Sequence, residues 1–292
     1  MKRIFIGIGA ATALFVLWLF AVWPPPLWYR SHWPAETAFM AMRAHGQGGG
    51  HRARYRPVPL DSISPFLVQA VLIGEDNRFW THPGIDFVEI RRALGYRRPA
   101  FSWASPRDIL EVTRSLGRAW GRREALRGAS TVTQQLAKNL YLSPSRNPLR
   151  KLKEAVTAFR LEGALSKRRI LELYLNVVET GDEVWGAEAA SERYFGRSAA
   201  TLTRVQAAAI AGSLPFPLAS NPSYRPGRMR WRQNLILRRM QGERIEIPKE
   251  EEEARPEPAD SVMHTPGIDS LLDSLRAPVE TLPPERQGPP AD

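Results

Sequence analysis

The longest run of apolar positions lies at the amino terminus of this 292-residue chain. Two basic residues precede a run from Ile4 to Trp23 that contains no charged residue. Twenty helical residues rise about 30 Å, which matches the hydrocarbon core of a bilayer. Three consecutive prolines follow the run, and its bulky end differs from the small-residue cleavage site of a signal peptide. The pattern therefore favours a transmembrane anchor at residues 1–23 over a cleaved signal peptide.

Apolar residues at helical spacing dominate the centre of the chain, from residue 57 to 241. Ser64 followed by Pro65 is typical of a helix start, with a capping hydroxyl and proline in the first turn. No stretch alternates with period two over more than a few residues, so the predicted class is mainly α. Apolar positions three and four apart predict four further helices, at 130–142, 149–165, 167–176 and 202–214.

Composition changes on both sides of the predicted domain. Residues 24–56 are expected to form a juxtamembrane linker, because 46–50 are rich in glycine. Residues 242–292 are rich in proline and glutamate, which predicts an acidic, disordered tail. Within the domain, 91–127 is an arginine-rich insertion. It is either a basic flap lying on lipid headgroups or a solvated surface insertion, and the second interpretation is slightly favoured.

The distribution of charge along the chain limits the classes of molecule that the protein is expected to bind. The chain carries a net charge of +11, but the tail after residue 242 is strongly acidic, so the body is more basic than the total suggests. A basic body beside a membrane anchor meets lipid phosphates, which argues against nucleic acid. Basic residues before the span and a bulky domain after it predict a cytoplasmic amino terminus and an external domain. The sequence has no cysteine, which excludes thiolate metal sites and a cysteine nucleophile within it.

The first chemical cluster joins two acids to an aromatic and a histidine. Glu75 and Asp76 follow an apolar helix and precede Phe79 and His82. A carboxylate at a helix end beside bulky apolar groups suits a general base. On its own, an acid pair at a helix end is more often a surface feature.

The second cluster opens the next predicted helix. A turn of small residues precedes Ser130, and Gln134, Gln135 and Lys138 follow. Free N–H groups at a helix start suit a phosphate or sugar oxygen. For Ser130 alone, simple capping of the helix is the better interpretation.

The third cluster is cationic with one acid. Arg146 precedes Lys151, Lys153 and Glu154, and residues three or four apart share one face of a helix. An ordinary surface ion pair would explain this spacing. However, lysine is rare in this arginine-rich chain, and three of its six lysines are Lys138, Lys151 and Lys153. Lysine supplies a compact point charge, which suits an anionic ligand.

Four motifs follow one another along the chain. They are Glu-Asp-x-x-Phe-x-x-His-x-Gly at 75–84, Gly-x-Ser-Thr-x-Thr-Gln-Gln-x-x-Lys-Asn at 128–139, Arg-Lys-x-x-Glu at 150–154 and Ile-Leu-Glu-x-Tyr-Leu-Asn at 170–176. Taken alone, the last motif indicates core packing. Together they resemble the peptidoglycan glycosyltransferases of glycosyltransferase family 51, which include monofunctional biosynthetic transglycosylases and a module of class A penicillin-binding proteins. The resemblance covers about residues 60–225, with Ala129 in place of a usual glycine and a long 91–127 segment as departures.

The resemblance implies a lysozyme-like, mainly α glycosyltransferase domain behind an N-terminal transmembrane helix. It implies an enzyme that polymerises lipid II into β-1,4-linked glycan strands, with inversion at the anomeric carbon and release of undecaprenyl diphosphate. By motif position, Glu75 corresponds to the general base and Glu154 to the second essential acid. The positions that correspond to substrate-binding and supporting residues are Lys138, Arg146, Lys151, Lys153, Ser130, Gln134, Gln135, Asp76, Phe79 and His82. No metal site is predicted and no cofactor is obligatory, although Mg²⁺ or Mn²⁺ at the diphosphate stays open.

Partners and location follow from the same resemblance. Lipid II, the growing glycan strand and inner-membrane lipids are the expected partners, with cell-wall synthesis or division proteins as further candidates and no nucleic acid. The domain is expected in the periplasm. No serine lies three positions before a lysine, so no penicillin-binding transpeptidase activity is expected.

Two alternatives remain. One is a lytic transglycosylase or lysozyme-like hydrolase, which works with one dominant acid. The other is a non-catalytic, membrane-anchored scaffold for wall synthesis. A cationic cluster beside a second acid favours a diphosphate substrate over the first alternative, and the presence of both acids argues against the second.

Overall fold

The computed structural model describes residues 2–46, 53–96, 105–121, 130–142 and 148–248. Helices dominate these ranges, so the predicted mainly α class is confirmed. The helices are α1 (Lys2–Phe20), α2 (Ala38–Gly46), α3 (Pro65–Glu75), α4 (Phe87–Ala93), α5 (Pro106–Gly121), α6 (Val132–Tyr141), α7 (Pro148–Ala164), α8 (Lys167–Val177), α9 (Gly186–Phe195), α10 (Arg204–Ser213) and α11 (Gly227–Met240).

The predicted helix starts and ends agree closely with the structure. The Ser64 hydroxyl accepts a hydrogen bond from the Phe66 N–H at 3.3 Å and caps α3, with Pro65 as its first residue. The four further predicted helices correspond to α6, α7, α8 and α10, each within two residues of the expected ends. Local capping and apolar spacing therefore determine where these helices lie.

The core is built around α8, whose apolar side chains are fully buried. Leu171 and Tyr174 of α8 lie within one hydrophobic cluster with Leu67 of α3, Leu136 of α6 and Ile236 of α11. Alanines line the buried face of α10, which lets α3 and α11 pack closely against it. This packing brings the carboxyl end of α3 to α6 and α11, where the first acid cluster lies.

A small sheet, which the sequence did not predict, lies beside α9. Within the described residues it contains β1 (Arg54–Tyr55), β2 (Glu179–Gly181) and β3 (Val184–Trp185), in the order β1-β3-β2. β1 is parallel to β3 and β2 is antiparallel to it. Strands of two or three residues leave no alternation for a sequence pattern to detect.

Gly186 makes the turn from this sheet into α9 possible. Its φ is +83°, and a Cβ there would lie 2.2 Å from the carbonyl oxygen of Asn176. Both the backbone conformation and the close approach therefore require glycine. Asn176 is fixed in turn, because its amide pairs with the Val58 N–H and carbonyl at 2.8 and 2.9 Å.

Helix α1, the predicted anchor, is long and apolar enough to cross a membrane over Arg3–Phe20, and none of these residues is buried. It also contacts the domain. Arg160 of α7 donates a hydrogen bond to the carbonyl of Phe20, and the Lys153 ammonium lies 4.7 Å from the centroid of the Trp18 ring. The anchor is therefore joined to α7 by packing as well as by the chain between them.

The segment expected to be a linker, 24–56, contains α2, which packs against α6. Phe39 and Met40 of α2 are buried in the main core. Most of the glycine-rich stretch lies outside the described residues, which resume at residue 53.

The predicted insertion and tail are described only in part. Of 91–127, residues 97–104 and 122–127 lie outside the described ranges, and α5 lies in the part between them. Of the predicted tail, 242–292, residues 242–248 are described, and Ile247 packs against the main core. The remainder, 249–292, lies outside the described residues.

Candidate active site

Glu75 ends α3 and is buried, with 7% of its surface exposed. Gln135 of α6 donates its amide N–H to Glu75 Oε2 at 3.0 Å, and Arg232 of α11 pairs with Oε1 at 3.1 Å. The Tyr174 hydroxyl donates to the other end of the Gln135 amide at 2.8 Å, which fixes the direction of that amide. A carboxylate has about four acceptor positions. The two that remain suit a proton-bearing ligand.

Arg232 is the main site residue that sequence reasoning missed. Its side chain is fully buried, and it also donates to the carbonyls of Gly74, at 2.8 Å, and of Pro248. It lies between Met229 and Ile236 on the buried face of α11. An arginine at a core-facing position must be paired, so its helical spacing was the signal available in the sequence.

Asp76 joins three parts of the site. Its carboxylate accepts the Val132 N–H at 2.9 Å, at the start of α6, and lies 3.0 Å from His82 Nε2. His82 Nδ1 accepts the Gly84 N–H at 3.2 Å, so Nε2 carries the proton that is donated to Asp76. Both side chains are buried. They fix the end of α3 against the start of α6 and so position Glu75 relative to Gln135.

Phe79 and Gln134, both predicted at the site, lie in its supporting structure. Phe79 is fully buried, with the Lys167 ammonium 4.4 Å from its ring centroid. Gln134 and Thr131 form a reciprocal capping box at the start of α6. The cap of this helix is therefore Thr131 and not Ser130, for which the sequence favoured capping, and the Ser130 hydroxyl is left for another contact.

Glu154 of α7 lies in a cationic cluster. Its side chain is buried and accepts hydrogen bonds from Arg150, at 2.6 Å, and from Lys151. Lys151 also donates to the Ser130 hydroxyl at 2.7 Å. The first turn of α7 is thereby tied to Ser130, two residues before the start of α6.

Lys138 connects the two acid clusters. It follows Gln135 by three residues, so the two side chains share one face of α6. Burial lowers the pKa of Lys138 to about 8, while the Glu154 carboxylate opposes this shift. Thus α6 contacts Glu75 through Gln135 and interacts electrostatically with Glu154 through Lys138, which brings both predicted catalytic acids to one helix.

Two predicted cations are not part of this described cluster. Lys153 lies against Trp18 of the anchor, so the rotation of α7 directs Lys151, and not Lys153, to Glu154 and Ser130. Arg146 lies outside the described residues.

Comparison with known proteins decides the family. A family model described as Transglycosylase matches residues 43–102 and 99–241, which is more than half of the chain. The chain belongs to the transglycosylase family. The resemblance drawn from the four motifs is therefore confirmed, and the family match begins inside α2.

Curated relatives of this transglycosylase family cover most of the chain. A biosynthetic peptidoglycan transglycosylase of Thiobacillus denitrificans is 39% identical over 83% of this chain and 96% of its own length. Proteins of the same name from Azoarcus sp. strain BH72 and Bordetella pertussis are 39% and 38% identical, over 79% and 85% of this chain and 98% and 94% of theirs.

The two acids of this transglycosylase site have different surroundings, which suit different chemical roles. Glu75 accepts hydrogen bonds and keeps free lone pairs, which suits proton abstraction. Lys138, Lys151 and Arg150 supply positive charge around Glu154, which suits an anionic leaving group. Within the described ranges, no group of three or more acidic or histidine side chains is arranged to hold a metal ion.

Proposed function

We propose that this chain is a peptidoglycan glycosyltransferase that joins lipid II units into β-1,4-linked glycan strands and releases undecaprenyl diphosphate. The family and the named relatives support a peptidoglycan transglycosylase. One observation carries the mechanistic proposal. Two buried acids interact with side chains of the same helix, α6: Glu75 with Gln135, and Glu154 with Lys138. Within the described residues, the group of several cations that suits a diphosphate surrounds Glu154.

Glu75 is the proposed general base. It takes the proton from the acceptor sugar's 4-hydroxyl as that oxygen attacks the anomeric carbon. Gln135 and Arg232 hold its two oxygens in place, so the proton acceptor needs no reorientation. Attack opposite to the departing diphosphate inverts the anomeric carbon, as in inverting glycosidases.

The cluster around Glu154 is proposed to receive the leaving diphosphate. Lys138 and Lys151 stabilise the negative charge that develops on the departing oxygen. Glu154 orients Lys151 and Arg150 through direct hydrogen bonds, and so assists the departure. No metal ion is obligatory in this scheme, and Mg²⁺ or Mn²⁺ carried by the diphosphate would add to the same positive charge.

The apolar helix α1 is compatible with a single-pass membrane anchor. We place its amino terminus in the cytoplasm and the domain in the periplasm, because Lys2 and Arg3 precede the span. Inner-membrane lipids are then direct neighbours, and wall-synthesis or division proteins remain candidate partners. Transpeptidation is not part of the proposed activity.

A hydrolase that cleaves finished strands and a non-catalytic scaffold are the competing functions. Cleavage of strands does not require a cationic cluster around a second buried acid, and a scaffold requires neither acid. Purified protein in detergent is incubated with lipid II and, separately, with preformed glycan strands, and products are resolved by gel electrophoresis. Long glycan from lipid II supports the proposal. Fragments of preformed strands would support the hydrolase, and no product from either substrate would support the scaffold.

A further inference from the structure

A further buried acid, Glu179, is paired with an arginine beside Lys138, outside the motifs that the sequence singled out. Glu179, the first residue of β2, is only 1% exposed and accepts a hydrogen bond from Arg43 of α2 at 2.8 Å. Helix α2 packs directly against α6. The pair therefore joins the small sheet to the helix that carries Lys138.

The ring of Phe39 contacts both Arg43 and Lys138. The Arg43 guanidinium lies 5.2 Å and the Lys138 ammonium 5.4 Å from the ring centroid, within the range of cation–π contacts. Trp185 packs edge-on against the same ring, with centroids 5.9 Å apart. The ring thus restricts where the Lys138 ammonium can lie, and its aromatic neighbour restricts the ring.

We infer that Glu179 is a positioning residue for Lys138, acting with Arg43 and Phe39 to hold the ammonium at the diphosphate site as a charged group. This inference rests on the proposed function, because it gives Lys138 its role toward the diphosphate. It assigns to α2 and β2 a part in the site that the four motifs do not contain.

The charges that face Lys138 make the counter-charge necessary. Burial lowers the pKa of Lys138 to about 8, and the positive charges of Lys151 and Arg150 of α7 contribute to the same shift. Two acids act in the opposite direction, Glu154 of α7 and Glu179 of β2. Without Glu179, Glu154, which is already hydrogen-bonded to two cations, would contribute a larger share of the stabilisation of protonated Lys138.

The groups around Glu179 act on its ionisation in opposite directions. Burial raises its pKa, and Asp182 adds to this, while Arg43 and Lys138 both favour the ionised carboxylate. Arg43 makes the nearer contact, as a direct hydrogen bond. The arrangement is therefore a chain of alternating charges, from Arg43 through Glu179 to Lys138.

The test is the pH profile of kcat/KM for lipid II polymerisation by the full-length Glu179→Gln enzyme. A neutral amine cannot neutralise diphosphate, so activity falls as pH rises through the pKa of Lys138 in the free enzyme. If removal of the charge lowers that pKa by about one unit, the protonated fraction at pH 8 falls from one half to about one tenth. For Glu179→Gln we expect kcat/KM to fall about fivefold at pH 8 and little at pH 6.5. The decline of kcat/KM at high pH, the alkaline limb of the profile, should therefore move to lower pH.

Three further variants distinguish loss of the Glu179 charge from a general effect on folding. Glu179→Asp keeps the charge and should retain the wild-type alkaline limb. Glu192→Gln removes one member of an exposed ion pair with Arg56 and should change nothing. In a Lys138→Gln background, whose residual activity is low, adding Glu179→Gln should cause no further displacement. Thermal unfolding of each variant shows whether it is folded at the assay temperature.

Two results would overturn the inference. One is a Glu179→Gln profile with the wild-type alkaline limb, whatever its height, since a uniform loss at all pH values indicates a structural role only. The other is a displacement that persists when Lys138 is absent. Failure of the proposed function looks different, because then the wild-type enzyme itself forms no glycan from lipid II.

Discussion

Glu75 and Glu154 are both buried, but the groups around them differ in kind. Glu75 is held by a neutral amide and one arginine, and each of its oxygens keeps acceptor capacity. Glu154 is held by Arg150 and Lys151, whose positive charges extend the cluster toward Lys138. The first environment suits a proton acceptor, and the second suits the binding of a polyanion.

Replacement of Arg232 by methionine should destabilise the fold strongly, because it leaves the Glu75 carboxylate buried without its cation. Breaking one side of a buried pair costs about 3–5 kcal/mol. Urea unfolding measures the loss. Arg238→Met is the matched control on the same helix, since Arg238 pairs with Glu243 at the surface, and there the expected change is within about 0.5 kcal/mol. Equal losses for both variants would contradict a buried, essential pairing of Arg232 with Glu75.

At the scale of elements, α6 is the part that unites the site. Its start is held by Asp76, its first turns carry Gln135 toward Glu75, and its next turn carries Lys138 toward the Glu154 cluster. Helix α7 supplies that cluster on one face and contacts the anchor through another. Side-chain roles on α7 therefore depend on which way the helix is rotated.

Sequence patterns predicted the helices well because caps and apolar spacing are local. They could not rank Lys151 against Lys153. Residues two positions apart on a helix point in directions that differ by about 200°, and only the packing of α7 against α1 fixes which of the two faces the site. Arg232 was missed for another reason. It reaches Glu75 across 157 positions of sequence, and such a contact exists only once α3 and α11 pack together.

The rotation of α7 predicts unequal effects of its two lysines. Lys151→Ala removes hydrogen bonds to Glu154 and Ser130, and should lower kcat/KM for lipid II in detergent by about 10- to 100-fold, from about 1.5–3 kcal/mol for charged hydrogen bonds. Lys153→Ala removes a contact with Trp18 of the anchor and should have the smaller effect. Steady-state polymerisation assays of both variants make the comparison. A larger loss for Lys153→Ala would contradict the observed rotation.

At the scale of the whole molecule, the anchor and the site share one helix. Lys153 and Arg160 hold α1 against α7, and the residue after Lys153 is Glu154, whose side chain lies in the cationic cluster. If α1 spans a bilayer, as proposed, its contacts with α7 determine how the cationic cluster around Glu154 lies relative to the bilayer surface. Helices α6 and α7, which contact the two acid clusters, pack against each other and against α8.

Two truncations should define where the working domain ends. Removal of 249–292 should change neither thermal unfolding nor polymerisation in detergent, since the proline- and glutamate-rich composition predicts no core contribution. Removal of 243–292 also deletes Ile247, which packs on the core, and the Pro248 carbonyl that Arg232 binds. That loss should cost about 1–3 kcal/mol in urea unfolding. Equal stability of the two truncated proteins would show that 243–248 contribute nothing.

The central claim, that Glu75 is the base for polymerisation of lipid II, is tested most directly by Glu75→Gln. The amide has nearly the same shape but cannot take the proton, so lipid II binding should remain near the wild-type value. Glycan formation should fall by at least about 100-fold, the usual contribution of a general base. A Glu75→Gln enzyme that binds lipid II and polymerises it at the wild-type rate would contradict the account.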